Sequence, residues 1–406
     1  MTITQQELTP PKKNKLPHLL KTRNMQLIIV IAMVTMYGSS VISPALPSIQ
    51  QAFNIETSSI GLLMTAFSFP GIISIPIAGI LSDRYGRRKI VVPLLLLYGI
   101  AGTLCFFAPS YEILVSLRFL SGIGAGAIAT LTLTLIGDLF QGRERTEALG
   151  YRIAFGQAST GIFPIFGGLL AVISWRYPFL LFILAIPVGF LALAILGDET
   201  ARNKSTIKEY LSEVTRGLLN ARTASLLTVA PTLMIINQGI IMTFLPVYLG
   251  YTFGVSAAII GLVISVRVIA GVIGASSMGV LTDHMREEWL LIWSLAVLAL
   301  GVSLVPFVTS VWLMIGPVLL IGAASGIGFP AFQSLLVGEA PKQLMAGIMS
   351  ANGVTNRIGQ ALGPIIASAL YGVGGFNVVF FGGALFLMIM IIFLSQGFRK
   401  HLRAKH

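Results

Sequence analysis

Four arginines, Arg118, Arg152, Arg267 and Arg357, lie inside long apolar runs of the sequence. A guanidinium group is permanently charged and offers several N–H donors, an arrangement that suits carboxylate and phosphate groups. An ionisable side chain in hydrocarbon costs about 2.5–3.5 kcal/mol on insertion scales, and such residues usually have a function. The candidate chemistry is therefore anion binding. Alternatively, the arginines bond to helix carbonyls or asparagines and hold helices together.

Arg267 and Arg357 lie nearest to the middle of their apolar runs. Arg118 is nearer to one end of its run, and Arg152 lies near an end from which its side chain can extend to water. Amide side chains occur in the same or the matching runs: Asn237, Gln238, Asn352, Asn356, Gln360 and Gln157. We predict that Arg267, Arg357 and these amides line a substrate-binding cavity.

Metal, cofactor and nucleophile chemistry are not expected. The single cysteine, Cys105, excludes an internal disulfide and a cysteine-based metal cluster, and all four histidines lie outside the apolar runs. The glycine-rich stretch SGIGAGA at 121–127 sits inside an apolar run and is not followed by Gly-Lys-Ser. It indicates close helix packing rather than a phosphate-binding loop. The sequence thus predicts neither an ATP site nor an enzyme.

The composition places most of the chain in a lipid bilayer. Of its 406 residues, 55% are apolar and 10% are charged, whereas a soluble protein has roughly a quarter charged. Continuous runs of about 20 apolar residues predict transmembrane helices rather than barrel strands. Twelve spans are predicted: 25–46, 59–81, 90–109, 112–137, 148–173, 177–197, 224–250, 257–281, 289–308, 311–338, 343–371 and 376–397. All 15 acidic residues fall in tails, loops or span ends.

Basic residues predict the orientation of these spans. Of the 27 lysines and arginines, 22 fall on one side of the predicted topology, Arg176 falls on the other side, and four lie within spans. Loops rich in lysine and arginine stay in the cytoplasm, so both termini are expected there. The basic residues are spread between apolar segments, which argues against nucleic-acid binding despite the net charge of +12.

The spans divide into two halves that resemble each other. Gly122 and Gly126 match Gly322 and Gly326 at an offset of 200. Further matches at this offset pair Gly79, Leu81, Asp83 and Pro164 with Gly279, Leu281, Asp283 and Pro364. A duplicated six-helix unit predicts two bundles that face each other across a cavity.

The predicted domain organisation follows from this repeat. It consists of a cytoplasmic tail at 1–24, a six-helix bundle at 25–197, a cytoplasmic linker at 198–223, a second bundle at 224–397 and a cytoplasmic tail at 398–406. The linker repeats apolar residues at helical spacing between charges, which predicts an amphipathic helix on the inner membrane surface.

Three stretches resemble the major facilitator superfamily. GILSDRYGRRKI at 79–90 resembles its signature for the loop between spans two and three, and LRFLSGIGAGA resembles a second signature that includes Arg118. Pro164 and the glycine pair that follows it resemble the twelve-span drug/proton antiporters, although Ser159 and Phe163 replace glycines of that pattern. The resemblance implies an all-α membrane protein with twelve transmembrane helices in two pseudo-symmetric six-helix bundles, the major facilitator fold.

The resemblance also implies roles for single residues. Asp83 would bind the N-terminal end of a helix in the other half, Arg87 and Asp138 would form an ion pair, and Gly79 would allow close helix approach. These contacts would form a latch between the halves; alternatively, the basic loop only sets the topology. Arg118 would take part in proton coupling, or it is structural.

The prolines Pro164 and Pro364 are expected to kink spans five and eleven. They would control how tightly the two halves close against each other; alternatively, the kinks serve only the packing of the helices.

The expected function is a monomeric secondary transporter of the inner membrane, which exports a lipophilic small molecule in exchange for protons by alternating access. The alternative is a transporter of the same fold for an organic anion or a lipid-like solute with a phosphate or carboxylate group.

Overall fold

The computed structural model describes residues 16–197, 221–339 and 345–404. Within these ranges the regular elements are helices, and no strand is present. The predicted cytoplasmic tail at 1–24 and the predicted amphipathic linker at 198–223 lie mostly outside the described residues. The domain boundaries therefore remain predictions, whereas the described helices can be compared with the twelve spans.

The first six spans are helices, several of which include a short 3₁₀ segment. Their bounds are Arg23–Phe53, Thr57–Tyr85, Arg87–Phe107, Tyr111–Leu139, Gly142–Ile173 and Tyr177–Ile195. Spans two and three are separated only by Gly86, whose φ of 97° lies in a region that side chains disfavour. Span four begins after Ser110, whose hydroxyl accepts a hydrogen bond from the backbone N–H of Ile113 at 3.4 Å. The break at Gly86 falls within the charged stretch 79–90, and the start of span four agrees with the start predicted at 112.

The second half repeats this arrangement. Its helices have the bounds Ala224–Phe253, Ala257–Ser276, Glu287–Phe307, Ile315–Gly338 and Met345–Ala404. The last helix combines the predicted spans eleven and twelve, and its backbone is non-helical only at Gly374 and Gly375. Among the described residues, 11 helical segments are long and apolar enough to cross a membrane, and this break divides the last of them into two spans. The twelve-span fold is thereby confirmed, with a helical end that continues to Ala404.

Equivalent glycines form equivalent helix crossings in the two halves. A Cβ atom added to Gly122 in span four would clash with the backbone carbonyl of Phe67 in span two. A Cβ added to Gly322 in span ten would clash in the same way with the carbonyl of Arg267 in span eight. The same offset of 200 relates the next close approaches along these helices, Gly126 with Gly71 and Gly326 with Gly271. The two bundles are therefore copies of one packing arrangement.

The two halves also contact each other through a repeated pair. Gly61 in span two approaches the carbonyl of Pro364 in span eleven, and Gly261 in span eight approaches the carbonyl of Pro164 in span five. A Cβ at either glycine would lie closer than 3.0 Å to the proline oxygen. Because both pairs are related by the offset of 200, they show the pseudo-twofold relation between the bundles.

Two buried tyrosine hydroxyls are bonded to backbone carbonyls of neighbouring helices. In the first half, the Tyr37 hydroxyl donates to the carbonyl of Leu181 at 2.7 Å, and the Tyr98 hydroxyl donates to that of Val34 at 2.8 Å. A hydroxyl without a partner would be costly in hydrocarbon, so these bonds fix how spans one, three and six pack.

The glycine crossings predict that one added methyl group changes stability differently at a helix crossing and at a glycine that faces open space. We expect Gly122→Ala to destabilise the protein by about 1–3 kcal/mol, because the obstacle is a rigid backbone carbonyl. Gly79→Ala is the matched control, since a Cβ there meets nothing within 4 Å. Alanine favours a helix over glycine by about 1 kcal/mol, so the control should keep or gain stability. Thermal unfolding in detergent measures both, and equal midpoints would contradict the packing described here.

Candidate functional site

The two halves meet tightly at one end of the helices. The loops after spans two and four, which carry basic clusters, and the equivalent loop after span eight define what we call the basic end, and the other end is called the opposite end. The contacts of Gly61 with Pro364 and of Gly261 with Pro164 lie closer to the opposite end. There the Thr65 hydroxyl also donates to the carbonyl of Ala361 at 3.0 Å, across the boundary between the halves. The two prolines predicted to control sealing thus sit directly at this boundary.

Toward the basic end the same helix faces lose their contacts. On span five, Gln157 continues the face of Gly161 and Pro164, yet its side chain is exposed. On span eight, Val272 lies one turn after Val268, which packs against Gly161, and Val272 is 53% exposed. Because each face is packed near the opposite end and exposed one turn further on, the halves diverge. The result is a cleft that opens at the basic end.

The second interface, between spans two and eleven, ends at Arg357. The Cδ and Nη1 atoms of this arginine lie 4.0 Å from the position of a Cβ at Gly71. One turn further toward the basic end, a Cβ at Gly353 would meet nothing within 4 Å. Arg357 therefore reaches from one half to the other at the inner limit of the cleft. Its Nη1 donates to Oε1 of Gln360 at 3.1 Å, and Gln360 in turn lies against Met234 of span seven.

Arg267 is bound to the same part of span seven. Its Nη1 donates to Oδ1 of Asn237 at 3.1 Å, and its side chain is nearly buried. Asn237 and Met234 are three residues apart, so Arg267 directly and Arg357 through Gln360 are linked to the same turn of span seven. The structure thus brings four predicted residues together: Arg267, Asn237, Arg357 and Gln360.

Span seven is irregular where these contacts are made. Residues Ile236–Phe244 form a π-helix, and the Thr243 hydroxyl donates to the carbonyl of Gln238, five residues earlier, at 2.6 Å. Such π segments are rare and are frequent at functional sites. The sequence reading missed this feature; its one visible signal is the polar triplet Asn-Gln-Gly at 237–239 inside an apolar run.

The remaining predicted amides are placed differently. The Gln238 side chain is buried, and Gln157 is exposed on the far wall of the cleft, on the first half. Asn352 and Asn356 lie one turn apart on span eleven, and the Oδ1 atom of each is buried without a hydrogen-bond partner. The predicted set is therefore divided between a cluster at span seven and groups on the walls around it.

Arg152 lies in span five, which begins earlier than predicted. The span was expected to start at 148, but the helix begins at Gly142, because the charged segment 142–147 is also helical. Arg152 is ten residues into this helix, about 15 Å from its start. Its side chain is half-buried, and its Nη2 donates to the carbonyl of Ala129 in span four at 2.7 Å. That the side chain extends to water from the inner end of the span stays a prediction.

Arg118 is enclosed in the first half. It is fully buried, its Nη1 donates to the carbonyl of Gly38 at 3.2 Å, and its guanidinium lies 4.0 Å from the ring centre of Phe67. Its Nε and Nη2 atoms have no hydrogen-bond partner. Cation–π contact and one hydrogen bond stabilise the charge, and they tie spans one, two and four together. A role in proton coupling stays a prediction.

At the basic end, Arg87 is the centre of an ionic cluster. Its Nε lies 2.9 Å from Oδ2 of Asp138, and its Nη1 donates to the Ser82 hydroxyl at 2.5 Å and pairs with Asp83. These contacts join the ends of spans two, three and four in the first half. Gly79 faces open space, so the close approach implied for it is not made in this conformation. Whether Asp83 binds span eleven in another state stays a prediction.

Comparisons with curated proteins agree with this geometry. The bacillibactin exporter of Bacillus subtilis is 34% identical over 164 residues, which are 39% of this chain and 41% of that protein. The class C tetracycline resistance protein of Escherichia coli is 27% identical over 365 residues, 86% of this chain and 90% of that protein. Multidrug resistance protein MdtG of Salmonella typhi is 28% identical over 371 residues, 88% of this chain and 91% of that protein.

Solved structures share the fold at low identity. The nucleoside transporter NupG (D323A mutant) has a TM-score of 0.75 at 14% identity, covering 92% of this chain and 99% of that one. A bacterial homologue of the human lysosomal transporter Spinster, in an inward-facing and occupied conformation, has a TM-score of 0.75 at 16% identity, covering 93% and 97%. The Major Facilitator Superfamily sequence profile matches residues 28–235 and 227–401. The chain therefore belongs to the Major Facilitator Superfamily and is a multi-pass membrane transporter rather than an enzyme.

Proposed function

We propose that this transporter exports lipophilic compounds in exchange for protons by alternating access. The observation that carries the proposal is the pair of interfaces that are closed near the opposite end and open toward the basic end. Such a cleft, with polar groups at its inner limit, is one of the two end states that rocking bundles require. Curated relatives named as multidrug, tetracycline and bacillibactin exporters support the direction of transport.

The proposed orientation makes this conformation the one that loads a substrate for export. The basic end carries the cytoplasmic loops if the excess of lysine and arginine sets the topology. The cleft then opens to the cytoplasm of a cell membrane, with both termini on the same side. A lipophilic compound would enter from the cytoplasm or the inner leaflet and leave after the basic end has closed and the opposite end has opened.

Closing the basic end needs new contacts between the halves there. We assign this role to the latch formed by Asp83, Arg87, Asp138 and Gly79. In the present state Arg87 holds both carboxylates within the first half. In the closed state Asp83 would bind the positive N-terminal end of span eleven, and Gly79 would allow that helix to approach.

A second candidate is export or import of an organic anion, or of a lipid-like solute with a phosphate or carboxylate group. The observation that favours it is the sign of the embedded charges. At the cleft, the described residues provide Arg152, Arg267 and Arg357, and none of these pairs with a carboxylate of the described chain. In either case, protons would be carried by Asp83, Asp138 or the substrate itself.

Inside-out membrane vesicles test the direction and the coupling. If the protein is a proton-coupled exporter, vesicles with an acidified lumen should accumulate a fluorescent drug such as ethidium, and an uncoupler should abolish the accumulation. Vesicles without the protein are the control. Uptake that persists with the uncoupler would contradict proton exchange, and uptake only into right-side-out vesicles would indicate import.

A growth screen against diverse toxic compounds tests the cleft. We expect Arg357→Ala to lose most of the resistance that the wild type gives to at least one compound class, since it removes a guanidinium that reaches from one half to the other at the cleft's inner limit. Arg143→Ala is a matched control, because Arg143 is exposed and pairs with Glu147 on its own helix. Unchanged resistance to every compound would exclude Arg357 from the site.

The latch is tested separately by Asp83→Asn. This change keeps the size of the side chain but removes the charge that the helix end would bind. We expect turnover in proteoliposomes to fall several-fold, with normal expression and little change in substrate affinity. Unimpaired turnover would leave the charged loop as a topology signal alone.

A further inference from the structure

Two arginines from opposite halves converge on one helix crossing. Gly126 of span four and Gly71 of span two are so close that a Cβ at Gly126 would lie 2.6 Å from the Cα of Gly71. Arg357, from the second half, lies against Gly71. Arg152, from the first half, is bonded to Ala129, within one turn of Gly126. Both guanidinium groups therefore lie beside the same crossing of spans two and four.

The hydrogen bonds that these arginines make leave donors and acceptors unused. Arg152 bonds through Nη2, while its Nε is buried without a partner. Beside Arg357, the Oδ1 atom of Asn356 is also buried without a partner. In the described part of the chain, no carboxylate pairs with either arginine. Unused buried polar atoms of both kinds are costly, which points to a group that binds here in the working protein.

The electrostatics give such a group a specific effect. Two like charges in a region of low dielectric constant repel strongly, and here each belongs to a different half. Repulsion at the inner limit of the cleft opposes closure of the basic end. An anion between the two guanidinium groups would replace this repulsion with two attractions, and it would draw the halves together.

We propose that Arg152 and Arg357 together bind the anionic group of the substrate, and that this bridge triggers closure of the basic end. The inference rests on the organic-anion candidate above and makes it specific. The ligand carries a carboxylate, sulfonate or phosphate group on an apolar body, and an N–H or O–H group that donates a hydrogen bond to Oδ1 of Asn356. Arg267 of span eight, held by Asn237 of span seven, adds a third positive charge on the second half.

Binding to the purified full-length protein tests the bridge, with naphthalene-2-sulfonate as the probe and neutral naphthalene-2-sulfonamide as its matched control. We expect the sulfonate, and not the sulfonamide, to bind and to raise the unfolding temperature. Arg152→Gln and Arg357→Gln should each weaken binding of the sulfonate roughly tenfold or more, because each removes a charge-assisted contact. Arg143→Gln, on the same helix as Arg152, should bind as the wild type does.

A distance measurement tests the closure. Gly150 lies seven residues before Gln157 on span five, Gly279 lies in the short helix Met278–His284 after span eight, and a Cβ at either position meets nothing within 4 Å. Spin labels at Gly150→Cys and Gly279→Cys, with the buried Cys105 replaced by alanine, should move closer together when the sulfonate is added. The shift should be absent with the sulfonamide and in Arg152→Gln, and Arg152→Lys, which keeps the charge, should restore part of it.

The outcomes separate this inference from the proposed function. Absence of sulfonate binding by the wild type, equal binding of the sulfonamide, or unchanged binding by a folded Arg152→Gln variant would overturn the bridge. If Arg152→Gln does not fold, Arg357→Gln decides the same question from the other half. Binding and closure that depend on both arginines would support the bridge even if vesicle assays showed import rather than proton-driven export.

Discussion

The close approach of two glycines to two proline carbonyls is the contact on which the rest of this transporter depends. Gly61 with Pro364 and Gly261 with Pro164 join the bundles near the opposite end, and both contacts require the absence of a side chain. With the halves joined there, the basic end is free to separate, and a cleft reaches to the middle of the molecule. These small-residue surfaces are suited to repeated closing and opening because they involve backbone contact with few interlocking side chains.

The second constraint is the energy of buried positive charge. In a bilayer, a guanidinium group needs either a partner or access to water. The surroundings that stabilise the charge differ from one arginine to the next. Arg118 is surrounded by aromatic rings and a carbonyl inside the first bundle, and Arg267 is held by Asn237 of its own bundle. Arg357 reaches Gly71 across the boundary between the bundles, and Arg152 is bonded to Ala129 beside the same crossing of spans two and four. Position relative to that boundary, more than depth, distinguishes arginines that are held within one bundle from those that lie next to both.

Much of the fold was predictable because a bilayer imposes simple rules. Apolar runs of helical length, the break at Gly86, and the offset of 200 that relates Gly122 to Gly322 are all visible in the sequence. Helix ends were less predictable. The charged start of span five at Gly142 continues the helix beyond the apolar run, so hydropathy alone misplaced the first residue of this helix. The π segment at Ile236–Phe244 was invisible for a related reason, since it depends on how Gly239 packs against Gly363 of span eleven.

By itself, the sequence determined the membrane class, the duplicated twelve-span architecture and the excess of embedded positive charge, because these follow from composition, period and repeat. Tertiary structure alone decided which residues meet: that Asn237 holds Arg267, that Arg357 reaches Gly71 in the other half, and that Arg152 bonds to Ala129. The physical reason is that hydropathy specifies how deep a residue lies, whereas the direction of its side chain depends on the rotation and crossing of whole helices. Those are set by glycine contacts between segments far apart in the chain.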